Sequence, residues 1–196
     1  MRGAAAALAV VIPARDEQRR IAACITSVVR ALQATVLPAT VVVVAHRCTD
    51  RTARIAEWVL GERGVVVADR SGRVSQARAR GADLALTELA RLTGAPPAGT
   101  WLLSTDADST VPADWVNRIL SHAEYGAAAV AGLASLDSLH GLTPGARRAY
   151  LDLVRAGIDG TTHRHAYAAN LAVRADAYRA VGGWPRVEVG EEHALL

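Results

Sequence analysis

Two carboxylates one residue apart close an apolar run. In "TWLLSTDADSTVPADW", Asp106 and Asp108 flank Ala107 just beyond Trp101-Leu102-Leu103. Like charges at that spacing repel, and loss of water raises the cost. Either the pair stands in open water on a turn or helix cap, or a cation lies between the two groups. Mg²⁺ and Mn²⁺ are hard ions that take oxygen ligands and commonly bridge one or two carboxylates to substrate phosphates. Asp106 and Asp108 are therefore candidate metal ligands. With a nucleoside diphosphate as ligand, one aspartate holds the cation and the other accepts hydrogen bonds from ribose hydroxyls. The spacing alone leaves both arrangements open, and a position at a strand exit favours the cation.

Other groups of this kind are fewer. Glu191 and Glu192 form an acidic pair in "GEEHALL", which also suits solvated acids opening a helix, where the dipole favours them. His163 and His165 share a face if their segment is extended, but no further ligands complete a zinc site, so a polar loop is expected. His193 and the pair Arg147-Arg148 read as solvated groups. Cys24 and Cys48 lack metal-ligand spacing. Cys24 reads as core and Cys48 as a turn residue, and a reduced, cytoplasmic setting is the simplest one.

The elements that must position these groups alternate in type. Strands are expected at 7–13 (ALAVVIP), 40–46 (TVVVVAH), 64–69 (GVVVAD), 100–106 (TWLLSTD) and, Ala-rich, at 126–135. These short apolar or β-branched runs suit a buried parallel sheet. Between them lie helical patterns. From Asp16 onward, Ile21, Ile25, Val28, Val29 and Leu32 fall on one face. Helices follow at 49–60, with Thr49 or Asp50 as N-cap, at 71–92, and at 111–123 with Pro112 in the first turn. Others are expected at 143–156 and, closed by glycine, in "ADAYRAVGG". Residues 94–99 form a loop, and 166–174 a strand or an extended loop. Alternation of this kind predicts an α/β fold with helices on both faces of the sheet, and such sheets bind ligands at the carboxyl ends of their strands. Pro13–Glu17, Ala45–Asp50, Asp69–Arg78 and Asp106–Asp108 then line one rim.

Composition bounds the rest. The chain has 196 residues, 51% apolar and 21% charged, which suits one domain with a sizeable core. All 22 basic residues are Arg and Phe is absent, a bias of GC-rich, bacterial-type codon usage. A net charge of +3 mildly favours anionic ligands, but the arginines are scattered without interleaved aromatics, so no nucleic-acid partner is expected. No apolar run reaches the ~20 residues of a transmembrane segment. "MRGAAAALAVVIP" reads as a first strand and not as a signal peptide.

Taken in order, these segments resemble family-two glycosyltransferases of the GT-A fold. "VVIPARDEQRRIAACITSV" is similar to the family's first strand and helix, and "VVVVAHRCTDRTARIA" to its second strand and turn. "SQARARGADLAL" resembles the "ARNxG" helix, "TDAD" the DxD motif, "YAANLAVRADAYRAVGGWP" the "GANLAxRxxAYxxxGGF" segment, and "GEEHALL" the terminal "GEDxxLL". The resemblance implies a mostly parallel sheet and a single domain, with residues 1–110 as a nucleotide-binding half and 111–196 as an acceptor-side half. It implies that Pro13, Ala14 and Glu17 line the nucleoside pocket. His46 stands where the family often has an acid facing the base, Arg78 approaches the nucleotide, and Ala107 lies between two working acids. Asp106 faces ribose or metal, and Asp108 holds Mg²⁺ or Mn²⁺ on the diphosphate. Asn170 lies near the donor sugar or acceptor, and Glu192 is the catalytic base of an inverting transfer, with Glu191 beside it.

The donor would be a nucleotide sugar and the acceptor an unidentified sugar, lipid or small molecule. Departures at His46 and at Glu192, whose longer side chain moves the carboxylate, keep a catalytically impaired nucleotide-sugar-binding module as an alternative. A sugar-phosphate nucleotidyltransferase fits less well, because "PARDEQ" replaces the Gly-rich basic loop after the first strand. A scaffold domain without a ligand is the remaining alternative. The sequence stops at Leu196, where the family normally continues. An exposed apolar patch at Leu195 and Leu196 is therefore expected, covered by a second copy or another partner.

Overall fold

The computed structural model describes residues 4–70, 72–160, 162–185 and 195. Six strands form the main sheet: β1 (Ala7–Ala14), β2 (Ala39–His46), β3 (Gly64–Asp69), β4 (Thr100–Ser104), β5 (Ala129–Ala131) and β8 (Leu171–Arg174). Their order is β3-β2-β1-β4-β8-β5. The first four run parallel, whereas β8 is antiparallel to both β4 and β5. Two short strands, β6 (Ile158–Asp159) and β7 (Thr162–His163), pair separately.

The continuous apolar runs are explained by burial on both faces. Alternate residues of β1 point opposite ways. Leu8, Val10, Ile12 and Ala14 join one core with α1 (Ile21–Leu32), α2 (Thr52–Leu60) and α4 (Trp115–Glu124). Ala7, Ala9 and Val11 join a second core with α3 (Val74–Thr93) and α6 (Ala175–Ala180). Each fully buried Leu, Ile or Val in these layers contributes about 1.5–3 kcal/mol. Small residues let α3 lie close to the sheet: a Cβ on Gly81 would meet Val11 Cγ2 at 2.5 Å and Val44 Cγ2 at 2.6 Å. The helix α5 (Pro144–Ala156) is capped by Thr143, whose Oγ accepts from the Ala146 amide at 3.2 Å, and none of its residues is buried.

Several expectations need correction. The helix after β4 starts at Trp115, not in the turn holding Pro112, because the Val111 amide donates to Ser27 Oγ at 3.0 Å and the chain stays irregular until it has crossed α1. The Ala-rich strand shrinks to Ala129–Ala131, since its partner β8 begins only at Leu171: the Gly132 amide still reaches the Asn170 carbonyl at 2.8 Å, but the Asn170 amide turns back to the Tyr167 carbonyl at 2.9 Å and the ladder ends. Residues 168–170 form a 3₁₀ turn before β8. Leu195 is not an exposed patch: it is 5% exposed and packs in the second core with Tyr178 and Trp184. Leu196 lies outside the described residues. Among the described residues no helix is long and apolar enough to cross a membrane.

Candidate functional site

The carboxyl ends of β1 and β2 carry two loops that lock together. Asp16 sits at φ 54° and Arg47 at φ 51°, left-handed conformations that non-glycine residues adopt only when their surroundings hold them there. The hold is visible. Asp16 Oδ1 accepts from the Thr49 amide at 2.7 Å, from Thr49 Oγ at 3.2 Å and from the Asp50 amide at 3.3 Å. Asp50 Oδ2 accepts from the Gln18 amide at 3.1 Å, and its Oδ1 accepts from the amide and hydroxyl of Thr52. Desolvation works against the Asp50 carboxylate, yet the Thr52 and Gln18 hydrogen bonds hold its pKa below the ordinary carboxylate range. Cys48 Sγ donates to the Ala14 carbonyl at 3.3 Å. Asp16, Cys48 and Asp50 form the one three-residue cluster of potential metal donors among the described residues, but their atoms already serve this lock. Pro13 and Ala14 are buried beneath it.

The acids that end β4 are each met by an arginine. Asp106 Oδ1 accepts from Arg78 Nη2 at 2.7 Å. Arg78, in the first turns of α3, is 3% exposed, and its guanidinium lies 5.1 Å from the centre of the Trp184 ring. Asp108 Oδ2 lies 3.7 Å from Arg20 Nη1, which also stands 3.8 Å from Glu17 Oε2. Ala107 is buried and pins the turn between them. Both acids remain near half-exposed, at 40% for Asp106 and 47% for Asp108. The repulsion expected from the sequence is therefore relieved by separate partners and by water. Its trace survives nearby. Burial first, and Asp108 second, push the Glu17 carboxyl above its ordinary range. Burial, with Asp106 and Asp108 adding to it, pushes the Cys24 thiol up to about 12. Cys24 Sγ donates to the Asp106 carbonyl at 3.3 Å.

At the ends of β2 and β3, His46 and Asp69 are direct register partners. Both are 3% exposed, with His46 Nδ1 3.0 Å from Asp69 Oδ2. Arg80 Nη1 donates to Asp69 Oδ1 at 2.9 Å. The register of β2 and β3 thus sets a buried carboxylate directly beside His46. On the other side of Asp108 a cleft of about 830 Å³ opens between α4 and the segment after β5, with Arg20, Trp115, His122, His163 and Asn170 in its walls. Both ends of the Asn170 amide are engaged. Its Oδ1 accepts from Trp115 Nε1 at 2.8 Å, and its Nδ2 donates to the Leu133 carbonyl at 2.9 Å. Glu191, Glu192 and His193 lie outside the described residues.

The model of glycosyl transferase family 2 matches residues 9–181. The chain belongs to glycosyl transferase family 2. Solved glycosyltransferases of the GT-A type share its fold. The mannosyltransferase PcManGT from Pyrobaculum calidifontis, solved in complex with GDP-Man and Mn²⁺, is 21% identical with a TM-score of 0.62, over 95% of this chain and 49% of that one. S. aureus TarS 1-349 in complex with UDP-GlcNAc is 15% identical with a TM-score of 0.61, over 96% of this chain and 51% of that one. Glucosyl-3-phosphoglycerate synthase of M. tuberculosis is 17% identical with a TM-score of 0.52, over 88% and 58%. The chain thus spans about half the length of these structures. No curated protein matches the sequence.

Within this family-2 glycosyltransferase fold, Pro13, Ala14, Glu17, His46, Arg78, Asp106, Ala107 and Asp108 all come to the carboxyl rim of β1 to β4, and Asn170 lines the adjoining cleft. Sequence reasoning passed over Arg20 and Trp184, and it placed Asp69 on the rim without assigning it a partner. Asp69 carried a readable signal, since it closes the β-branched run of β3. Arg20 stands one helical turn after Glu17, a spacing that brings side chains together. Trp184 had no signal, because its meeting with Arg78 joins segments far apart in sequence.

Proposed function

We propose that this domain transfers a sugar from a nucleotide-diphosphate donor to an acceptor hydroxyl, with a divalent cation at Asp108. The observation that carries the reading is the juxtaposition at the end of β4. Asp106 is clamped by a buried arginine, and Asp108, half-exposed, opens onto the cleft. Pro13, Ala14, Glu17 and the His46–Asp69 pair form the nucleoside end. Asp106 takes the ribose hydroxyls, with Arg78 as its positioning residue. Residues 1–110 serve the donor and 111–196 the acceptor.

The donor chemistry of Asp108 suits Mg²⁺ or Mn²⁺: a hard, half-exposed oxygen with an exposed arginine 3.7 Å away, beyond hydrogen-bond distance. A bound cation supplies neutralisation of the charge that builds on the departing diphosphate. The chain's own groups do the remainder. The interlocked loops fix the nucleoside, and the cleft orients the acceptor hydroxyl. Glu192, with Glu191 beside it, receives the hydroxyl proton as attack proceeds from the face opposite the leaving group. The cation-bound complex of PcManGT supports the metal assignment.

The test is a panel of nucleotide sugars incubated with Mn²⁺, read as nucleoside diphosphate released. Release with one donor, lost in Asp108→Asn and Glu192→Gln, supports transfer or its hydrolytic side reaction. Tight binding without release identifies a nucleotide-sugar-binding module instead. No binding of any donor removes the proposal.

A further inference from the structure

Arg20 stands at the start of α1 and faces carboxylates from two different loops, Glu17 at 3.8 Å and Asp108 at 3.7 Å. It lines the same cleft as Asp108. Its side chain is 63% exposed, and neither contact is a hydrogen bond. Pairs of this kind are weak and exchange readily for other partners. The surroundings are acidic: Asp16, Asp50 and Asp108 all act on Glu17, and Arg20 opposes them. The guanidinium therefore stands beside Asp108 as a positive charge within an acidic group.

We propose that Arg20 is a tethered counter-ion that keeps the place of the divalent cation, neutralising Asp108 and Glu17 until a metal ion displaces it. The proposal rests on the reading of Asp108 as the metal ligand. Its chemistry is direct competition. A guanidinium and a divalent ion cannot both sit against the same half-exposed carboxylate without repelling each other. Occupancy by Arg20 therefore weakens metal binding in the free protein. Once displaced, the exposed side chain is available to the diphosphate oxygens that arrive with the metal. The fold thereby couples cation entry to release of a cationic group into the cleft.

Loss of the guanidinium should strengthen metal binding, the opposite of what removing a ligand-supporting residue does. Unit charges 4 Å apart in water interact by about 1 kcal/mol, so the gain is about five-fold. The experiment is a Mn²⁺ titration of the full chain without nucleotide, read by the loss of free-ion paramagnetic resonance signal. Arg20→Gln should bind Mn²⁺ about five-fold more tightly than the parent, and Arg20→Lys should stay close to the parent. Arg118→Gln is the control for net charge. Arg118 lines the cleft but pairs with Asp114 at 2.7 Å, so its loss should leave Mn²⁺ affinity unchanged. Unchanged or weaker binding in Arg20→Gln overturns the proposal. So does an equal gain in Arg118→Gln or Arg20→Lys. Asp108→Asn separates the two levels. If it binds Mn²⁺ as the parent does, the metal assignment itself fails. If it loses Mn²⁺ while Arg20→Gln gains nothing, only the counter-ion role fails.

Discussion

Gly132→Ala should damage the cleft through one side chain. Gly132 follows β5, and a Cβ there would stand 2.1 Å from Asn170 Nδ2 and 2.5 Å from its Cγ, well inside contact. The amide of Asn170 must move. It then loses its hydrogen bonds to Trp115 Nε1 at 2.8 Å and to the Leu133 carbonyl at 2.9 Å. Each is worth about 0.5–1.5 kcal/mol net. The alanine recovers about 0.4–1 kcal/mol by restricting the unfolded chain. The net cost is about 1–2 kcal/mol, a fall in Tm of a few degrees at about 2–4 °C per kcal/mol for a chain of this size. The assay is urea unfolding of Gly132→Ala, Asn170→Ala and the double variant. With Asn170 truncated the obstacle is gone, so Gly132→Ala should then cost nothing or stabilise slightly. An equal cost in both backgrounds would refute the reasoning, because the strain would then lie elsewhere than in the Asn170 contact.

Gly81→Ala should wedge α3 away from β1 and β2 against the Val11 and Val44 methyls. A cost of about 1–3 kcal/mol is expected, measured as a lower urea midpoint. Glu17 has a pKa raised above its ordinary 4.5, so just above that pH the folded chain binds more protons than the unfolded one. Stability contributed by this group falls as pH rises through that window, and Glu17→Gln should flatten the decline. Parallel pH profiles of parent and variant would contradict it. Cys24 is buried with a thiol near 12, so a thiol reagent should modify only Cys48 in the native protein and reach Cys24 on unfolding. A nucleotide seated over Ala14 should slow the Cys48 reaction.

The N-terminal half of the fold was legible because its signals are local. β3 falls at Gly64–Asp69 as the β-branched run indicated, and α3 shifts mainly at its entry. The C-terminal half was less so. Nothing in "LAVR" encodes that β8 runs antiparallel, since strand direction is decided by the path of the chain through α5 and the β6–β7 pair. The length of β5 is set by its partner, because the Asn170 amide turns back to the Tyr167 carbonyl and ends the ladder one step beyond the Ala131–Leu171 pair, a contact between segments far apart in sequence. The N-cap reading divides. Asp50 does accept from the Thr52 amide, although the cap position itself falls on Arg51.

In the site, residue types were readable and partners were not. Asp106 and Asp108 reached the rim, but that each faces its own arginine depends on α1 and α3 bringing Arg20 and Arg78 to opposite sides of one turn. His46 read as a lone imidazole, yet strand register sets Asp69 beside it. Asn170 read as a ligand-facing amide, and both its ends tie the cleft wall together.

The most direct measurement is calorimetric titration of UDP and of GDP into the parent, Asp106→Asn and Asp108→Asn, each with Mn²⁺ and with chelator. Binding of one nucleotide that requires Mn²⁺, loses that requirement's benefit in Asp108→Asn and weakens in Asp106→Asn is the expected result. Nucleotide affinity that is absent throughout, or identical in all three proteins, would contradict a cation and a diphosphate at the end of β4.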